Sequence, residues 1–432
     1  MKKKSLIIFL IMMITGLIIV FAVLFTHNVS QGTFSPFWAP PTMSPSPTPK
    51  PTPEPTPEPF QEYDINLLSL GDNLMHLGVI NTGREADGTY DYSFLFENIK
   101  PFLDLAEIKI INQETILGGN HLGFSGYPAF NSPTELGDSI AAAGFNVVLH
   151  GSNHATDKGL EGLNHCLNFW QDNYPEILVC GITDVAEGDT EQTQVPDIPM
   201  LDIDGISFAF LNYTYSNNHG TLSKEYFGRL KMLCNYDPNT GAMDFTTLHP
   251  QVLEEIQLAD ELADVVVVLP HWGTEYQPKP SGYQTKFAKQ MADAGADLII
   301  GTHPHVPQPV EWITAKDGRR VLCYYSLGNY VSTQKQALTM LEGLAWITFH
   351  VTENDVFIDE SKTGVLPLVC HYKYGPVRVE NIYLLEEYTE ELAARHGIWQ
   401  YGEVPLYLSD LQNNSNSIFG EWVLDSCQIL EE

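Results

Sequence analysis

Basic residues are scarce in this sequence, and their scarcity excludes a large class of partners. The 432 residues include 22 Lys and Arg against 54 Asp and Glu, which gives a formal net charge of -32 at pH 7. A surface of this sign repels phosphates, so we expect no binding to nucleic acid. An anionic ligand would have to be held locally, by a metal ion or by a small basic patch.

The sequence also lacks a Cys-x-x-Cys pair, although it contains six cysteines. They are Cys166, Cys180, Cys234, Cys323, Cys370 and Cys427. Without such a pair we expect no zinc knuckle. We interpret the cysteines as buried free thiols, with disulfides as the alternative that an extracellular location would permit.

No cleavage pattern of a signal peptide follows the apolar N-terminal segment. The apolar run over residues 6–25 is long enough to span a bilayer core. Because neither Ala-x-Ala nor a lipobox cysteine follows it, we predict an uncleaved membrane anchor over residues 1–27, with a cleaved signal peptide as the alternative. Lys2, Lys3 and Lys4 favour a cytoplasmic N-terminus, so the main domain of this single-pass cell-membrane protein would be extracellular.

Proline dominates the next segment, which we assign as an extracellular linker over residues 28–61. There are 11 prolines from Pro36 to Pro59. Such a tract forms neither a core nor a sheet, so we predict an extended polyproline II stalk. The rest of the chain has a globular composition, and we predict a folded domain over residues 62–385 and a C-terminal extension over residues 386–432.

Apolar strand-like runs and helical patterns alternate from Asp64 to Tyr330, and more strands follow toward the C-terminus. The β-branched run Asp264–Leu269 is typical of a strand that is buried on both faces of a sheet. We therefore predict an α/β fold with mixed sheets. Residues 212–249 break the pattern and are interpreted as a lid or substrate loop, with a surface excursion as the alternative.

Polar side chains stand at the ends of several predicted strands. They are Asp72, Asn112, Glu114, Asn153, His154, His271, His303 and His305. Sites in open α/β sheets collect at the carboxyl ends of the strands, so we predict that these residues share one site. Extended backbone would place His303 and His305 on one face, with Pro304 restricting the chain between them.

These candidate ligands offer oxygen and nitrogen atoms but no thiolate. Such a set suits Mn, Fe or Zn better than Ca, which prefers oxygen alone. The set also exceeds what one tetrahedral ion needs, so we expect a divalent-metal site with two ions bridged by a carboxylate. A site of this kind would support hydrolysis of a phosphoester or an amide bond.

The motifs that contain these residues resemble those of a known family. They are Gly71-Asp72, Asn112-Gln113-Glu114, Asn153-His154-x-x-Asp157-x-Gly159, His271-Trp272-Gly273-x-Glu275-Tyr276, His303-Pro304-His305-Val306 and Ser326-Leu327-Gly328-Asn329. In this combination and order, the chain from residue 65 to 330 resembles the CapA family of capsule, or poly-γ-glutamate, biosynthesis proteins. The resemblance implies a calcineurin-like metallophosphatase fold, which is a layered α/β/β/α sandwich with mixed sheets.

The same resemblance implies a role for each of these residues. The implied metal ligands are Asp72 and His305 for one ion, Asn153, His271 and His303 for the other, and Glu114 as a bridge between them. His154 would be the catalytic residue, acting as a proton donor or charge stabiliser beside the reacting group. The residues implied to support the ligands are Asn112, Glu275 and Asn329.

The sequence departs from the family pattern at a few positions. Thr302 stands where the family often has a further histidine, and Ser152 replaces a common asparagine. The first motif lacks the usual arginine and also the Asp-x-His of ordinary metallophosphatases. His76 follows this motif and is either an additional ligand or a loop residue without a metal role.

Together these features predict a membrane-anchored extracellular protein of capsule or poly-γ-glutamate biosynthesis that acts as a metal-dependent hydrolase. Its expected partners are the membrane, through the N-terminal helix, an anionic polymer or a phosphorylated or γ-glutamyl substrate, and a membrane synthase. One alternative is a non-catalytic accessory that binds the polymer or the synthase. Another is a general extracellular metallophosphoesterase, which would rest on the fold alone.

Overall fold

A computed structural model describes residues 60–184, 198–402 and 404–431. The predicted anchor and all but the end of the predicted linker lie outside these described residues. Within the described part of the chain, no helix is both long and apolar enough to cross a bilayer. The anchor and the extracellular location therefore stay predictions.

The strands of the described chain coincide with most of the apolar runs identified in the sequence. In chain order they are β1 (Tyr63–Asp72), β2 (Ile108–Asn112), β3 (Val147–Leu149), β4 (Leu178–Cys180), β5 (Met200–Ile203), β6 (Ile206–Thr214), β7 (Cys234–Tyr236), β8 (Met243–Leu248), β9 (Val265–His271), β10 (Leu298–Ile300), β11 (Val310–Thr314), β12 (Arg320–Tyr324), β13 (Leu341–Val351), β14 (Val356–Ile358), β15 (Gly364–Lys373) and β16 (Arg378–Leu384).

The helices of the described chain lie mostly between these strands or after the last of them. They are α1 (Leu77–Thr82), α2 (Lys100–Leu105), α3 (Glu135–Ala142), α4 (Gly159–Asn173), α5 (Pro250–Leu262), α6 (Gly282–Ala294), α7 (Glu390–Arg395), α8 (Ile398–Tyr401), α9 (Leu408–Phe419) and α10 (Ser426–Leu430). The sequence sets both ends of α6 locally. Ser281 and Gln284 form a capping box at its start, and Gly295 follows its last residue with a φ of 134°.

The strands form two large mixed sheets. The eight-stranded sheet has the order β16-β15-β13-β1-β2-β3-β4, with β14 paired to β13, and the six-stranded sheet has the order β11-β12-β10-β9-β6-β5. Strands β1 to β4 are parallel in the first sheet, as are β6, β9, β10 and β12 in the second. The site residues follow the carboxyl ends of these parallel strands, where open sheets place their sites.

The domain is an α/β/β/α sandwich, and three apolar clusters fill the spaces between its layers. Between the two sheets, Leu67 of β1 packs in one cluster with Val267 of β9. The alternate residue Leu68 faces the helices that cover the first sheet. Val266 and Val268 likewise face α5 and α6 on the outer side of the second sheet. Every residue of β9 is buried, as its apolar sequence predicts.

The segment over residues 212–249 contains more regular structure than the sequence predicts. Strand β6 includes the first three residues of the segment and ends at Thr214, and β7 and β8 form a separate two-stranded sheet within it. The expectation of an irregular stretch is therefore wrong for part of the segment. Its alternation of polar and apolar residues is too weak to identify such short strands.

The C-terminal residues pack against the main body of the domain. From Phe60 onward the chain forms one compact unit, which includes the segment after residue 385. Leu411 and Phe419 of α9 are each 1% exposed. All six cysteines are free thiols in the structure, and only Cys427 is exposed.

Candidate metal centre

The ends of the parallel strands bring most of the predicted site residues into one buried cluster. Asp72, Asn112 and His271 are the last residues of β1, β2 and β9. Those with a relative exposure of 5% or less are Asp72, Asn112, Glu114, Asn153, His154, His271, His303, His305 and Asn329. Glu275 alone among the predicted site residues is exposed.

One side of the cluster is organised around Asp72. Its Oδ1 accepts hydrogen bonds from Asn112 Nδ2 at 2.8 Å and from the backbone N–H of His303 at 3.1 Å. Its Oδ2 lies 3.1 Å from His305 Nδ1, which is also 3.0 Å from Asn329 Oδ1. Asn112 and Asn329 thus hold the carboxylate and the imidazole in place, as supporting residues would.

The other side of the cluster is organised around His271. Its Nε2 lies 2.7 Å from Asn153 Oδ1, and its Nδ1 lies 2.9 Å from Thr302 Oγ1. The ring of His303 packs against it at a centroid distance of 4.8 Å. Burial, followed by the neighbouring imidazoles, holds the pKa of both His271 and His303 well below the ordinary value. Both rings are therefore neutral, which is the form that binds metal.

Glu114 lies between these two sides and has no hydrogen-bond partner for either carboxylate oxygen among the described residues. Its Oε1 is 3.9 Å from His271 Nε2 and 4.0 Å from His154 Nε2, and its Oε2 is 3.8 Å from His305 Nδ1. The Nδ1 atom of His303 is also buried and has no hydrogen-bond partner in the described part of the chain. Buried polar groups normally have partners, so these atoms are oriented as ligands of an ion would be.

Three groups of side chains in the described chain place their ligand atoms within 4.8 Å of one another. They are Asp72 with Glu114 and His305, Glu114 with His271 and His303, and Glu275 with His303 and His305. Glu114 belongs to two of the groups. Glu275 stands at the exposed edge of the cluster. Its carboxylate lies close enough to His303 and His305 to be a ligand itself, whereas the family resemblance implied that it only supports the ligands.

Glu114 and His305 influence each other's pKa, and so together they determine the charge of the cluster. Burial raises the pKa of Glu114 well above its ordinary value, although His305 opposes this shift. Burial alone would lower the pKa of His305, but Glu114 and Asp72 raise it to about 9. A proton is therefore held within the cluster at neutral pH, and a cation that takes these ligands would displace it.

His154 adjoins the cluster and is held by contacts on several sides. Its Nδ1 lies 2.7 Å from Asp157 Oδ2, and its backbone N–H donates to Ser152 Oγ at 3.1 Å. The Ser152 hydroxyl in turn donates to the backbone carbonyl of Glu114 at 2.6 Å. The ring of Phe130 meets the imidazole edge-on at a centroid distance of 4.6 Å. These contacts fix the ring and leave Nε2 facing Glu114.

The backbone that presents His303 and His305 is not a strand. Strand β10 ends at Ile300, and the two histidines have φ values of 99° and 60°. The expectation of extended backbone is therefore wrong, although both imidazoles reach the cluster. Hydrogen bonds from neighbouring segments impose the turn, because the N–H of Tyr276 donates to the Pro304 carbonyl at 2.8 Å. Left-handed backbone at such residues is costly and is concentrated at functional sites.

Other contacts at the cluster come from residues outside the motifs identified in the sequence. The ring of Tyr215 packs on His303 at a centroid distance of 4.6 Å, and Asn218 hydrogen bonds to Asn153. Both belong to the segment interpreted as a lid or substrate loop. His76 belongs to none of the ligand groups found in the described chain, and its ring packs against Phe130.

These features define a class of protein, a four-layered α/β protein with a buried histidine and carboxylate centre that could bind metal. Residues 66–334 match the family described as bacterial capsule synthesis protein PGA_cap, and the chain belongs to this family. The resemblance noted from the sequence motifs is thereby confirmed at the level of the family.

Individual relatives agree with this family. The chain is 28% identical over 304 residues to the capsule biosynthesis protein CapA of Bacillus anthracis, covering 68% of this chain and 66% of the relative. It is 30% identical over 210 residues to the PGA biosynthesis protein CapA of Bacillus subtilis (strain 168), covering 49% of this chain and 48% of the relative. The match thus spans less than two thirds of either relative. A weaker structural likeness, with 12% identity and a TM-score of 0.42, links 84% of this chain to 64% of the NAD nucleotidase NadN of Haemophilus influenzae.

The contact between Thr302 and His271 leads to a prediction. We expect Thr302→Val to weaken metal binding about tenfold, because the valine removes the hydroxyl that orients His271 Nδ1. Thr348→Val is the matched control, since the Thr348 hydroxyl is buried and donates to Asn66 Oδ1 at 2.8 Å, in β1 six residues before Asp72. Both variants should lose about 1 kcal/mol of stability. Titration with Mn²⁺ would contradict the prediction if Thr302→Val bound as tightly as the control.

Proposed function

We propose that this protein is a metal-dependent hydrolase of capsule or poly-γ-glutamate production, which cleaves a phosphoester or an amide bond outside the cell. The observation that supports this most strongly is the buried carboxylate of Glu114. It has no hydrogen-bond partner among the described residues and is shared between two groups of potential ligands. A purely structural glutamate in that position would be expected to have hydrogen-bond donors on its carboxylate oxygens, because buried polar groups are normally satisfied.

The residues present fit a centre with two divalent ions. Asp72 and His305 would hold one ion, and Asn153, His271 and His303 the other, with Glu114 contacting both. The nitrogen and oxygen ligands favour Mn, Fe or Zn. Such ions, when bound, would polarise the scissile bond and lower the pKa of water at the site.

The chain itself would position the substrate and the proton that the reaction needs. His154 is oriented by Asp157 and presents Nε2 to the cluster, so it would donate a proton to the leaving group or stabilise its charge. The ligands are almost fully buried, whereas Asn218 and Glu275 are exposed next to them. We infer that substrate enters on this side and that the buried walls exclude bulk water.

Membership of the family supports the assignment to capsule production, and the names of the relatives point to poly-γ-glutamate. The chain carries a net charge of -32, and Glu275 is exposed beside the centre, so a long polyanion would not be held by broad electrostatic attraction. This favours a reaction at one bond over tight binding along the polymer. The N-terminal anchor and a membrane synthase partner remain part of the proposal.

The test is to measure metal content and turnover of the purified full-length protein together. We expect bound Mn, Fe or Zn by elemental analysis, and hydrolysis of a phosphodiester or a γ-glutamyl amide. His154→Asn should retain the metal and lose at least about 100-fold in turnover, because a general acid typically contributes that much. His165→Asn is the control, since among the described residues His165 forms a hydrogen bond only with the Leu117 carbonyl, at 3.2 Å.

Two results would separate the alternatives. Protein without metal, or with turnover unaffected by His154→Asn, would contradict the enzyme and favour a non-catalytic accessory that binds the polymer or the synthase. The other result combines two findings: the purified protein hydrolyses simple phosphodiesters, and cells that lack the protein still make capsule. This would favour a general extracellular phosphoesterase.

A further inference from the structure

The segment that follows β6 brings a side chain into contact with the cluster. Strand β6 pairs with β9 up to Thr214 and His271, and the N–H of Tyr215 then donates to the His271 carbonyl at 2.9 Å. The next turn places Asn218 in the left-handed region, with a φ of 62°. Its backbone N–H donates to Ser216 Oγ at 3.0 Å, which holds the turn in shape.

Asn218 is joined to Asn153 by a reciprocal pair of hydrogen bonds. Asn153 Nδ2 donates to Asn218 Oδ1 at 2.9 Å, and Asn218 Nδ2 donates to the Asn153 carbonyl at 3.1 Å. The Asn153 amide is thereby turned so that its Oδ1 lies 2.7 Å from His271 Nε2. The nitrogen end of the same amide points away from the cluster, toward the exposed side chain of Asn218.

We propose that Asn218 is a positioning residue that selects which end of the Asn153 amide faces the metal. This inference rests on the proposed function, in which Asn153 is a ligand. A carboxylate could bind a cation in either orientation, but an amide binds only through its oxygen. An asparagine ligand therefore needs a partner that occupies its nitrogen, and Asn218 Oδ1 is that partner.

The same side chain also adjoins His154. Asn218 Nδ2 lies 3.4 Å from His154 Nδ1, whose nearest partner is Asp157 Oδ2 at 2.7 Å. Asn218 thus covers a ligand and the residue proposed to handle the proton. In this role the segment interpreted as a lid or substrate loop completes the centre through a fixed contact.

A different reason for an asparagine at this position is its backbone conformation alone, because asparagine tolerates the left-handed region. Asn218→Gly separates the two explanations, since glycine accepts this φ but has no side chain. Asn218→Asp keeps an acceptor for Asn153 Nδ2 while losing the amide donor. Asp204→Gly is the control, because Asp204 is an exposed left-handed residue in the turn between β5 and β6, with a φ of 52°.

The experiment measures Mn²⁺ affinity and the unfolding midpoint of the full-length variants. We expect Asn218→Gly to bind Mn²⁺ at least about tenfold more weakly than the wild type. Its unfolding midpoint in the absence of metal should fall only slightly, because the two hydrogen bonds that it loses are partly exposed. Asn218→Asp and Asp204→Gly should stay within about threefold of the wild type, by the same reasoning about the orienting acceptor.

The possible outcomes distinguish this inference from the proposed function. Wild-type affinity in Asn218→Gly would overturn the positioning role and leave the metal centre intact. Equal losses in Asn218→Gly and Asn218→Asp would also overturn it, because the acceptor would then not matter. A wild-type protein that binds no Mn²⁺, Fe²⁺ or Zn²⁺ would overturn the proposed function and this inference together.

Discussion

Glu114→Gln is expected to abolish the binding of metal to this protein while leaving it folded. Glu114 contributes to both groups that would hold the two ions, so one substitution removes a ligand from each. Loss of an outer partner of a ligand typically costs 10–100-fold in metal affinity. We expect the loss of this shared ligand to cost more than about 100-fold, and turnover to fall with it.

The folded state should tolerate this substitution because the Glu114 side chain contributes little to the stability of the metal-free protein. Neither carboxylate oxygen accepts a hydrogen bond from a described residue, and glutamine has nearly the same volume. Burial raises the pKa of Glu114, so the charged form is costly in the absence of metal. We therefore expect the free energy of unfolding without metal to change by less than about 2 kcal/mol.

The measurement is the shift of the unfolding midpoint on addition of metal. In the wild type, metal at 100 times its dissociation constant should stabilise the fold by about 2.7 kcal/mol, and Glu114→Gln should lose this gain. Glu342→Gln is the matched control, because Glu342 is also fully buried but belongs to none of the ligand groups. A metal-induced shift of wild-type size in Glu114→Gln would show that Glu114 is not a ligand.

The sequence was sufficient to place the candidate ligands at strand ends because that information is local. An apolar run such as the one before Asp72 or His271 predicts a strand, and the polar residue that closes it predicts where the strand ends. The strand order is not local. Strand β1 pairs with β13, whose residues lie about 280 positions later, and no short-range pattern indicates that pairing.

The fine geometry of the centre also depends on contacts between distant segments. The turns at His303 and His305 are imposed by bonds to other segments, whereas the sequence suggested an extended pair. The partners Thr302 and Asn218 carry no metal-binding signature, since a hydroxyl and an exposed amide are common in loops. Only their distances to His271 and Asn153 give them a role.

Gly71→Ala is expected to disrupt both the fold and the centre, because the backbone of β1 at Gly71 packs closely against the backbone at Gly328. A Cβ atom on Gly71 would lie 2.0 Å from the carbonyl oxygen of Gly328. That oxygen cannot move freely, because it accepts the backbone N–H of Asp72 at 2.9 Å. The N–H of Gly71 is itself bonded to the buried Glu342 Oε1 at 3.0 Å.

Relief of this clash would separate two segments that both contact His305. One contains Asp72 and the other contains Asn329, whose side chains lie 3.1 Å and 3.0 Å from His305 Nδ1. Overpacking of a buried site usually costs 1–3 kcal/mol, and a clash with backbone lies at the upper end of that range. We therefore expect Gly71→Ala to lose about 3 kcal/mol of stability and to bind metal more weakly.

Denaturant unfolding of the full-length protein, with and without Mn²⁺, measures both effects. Gly282→Ala is the matched control, because a Cβ there would have no atom within 4 Å and its φ is outside the left-handed region. At the start of α6 this change should be neutral or stabilise by a few tenths of a kcal/mol. If Gly71→Ala unfolded at the same denaturant concentration as Gly282→Ala, the contact between β1 and the turn at Gly328 would have to be loose enough to accept a Cβ atom. The carboxylate of Asp72 would then depend on some other contact for its position beside His305.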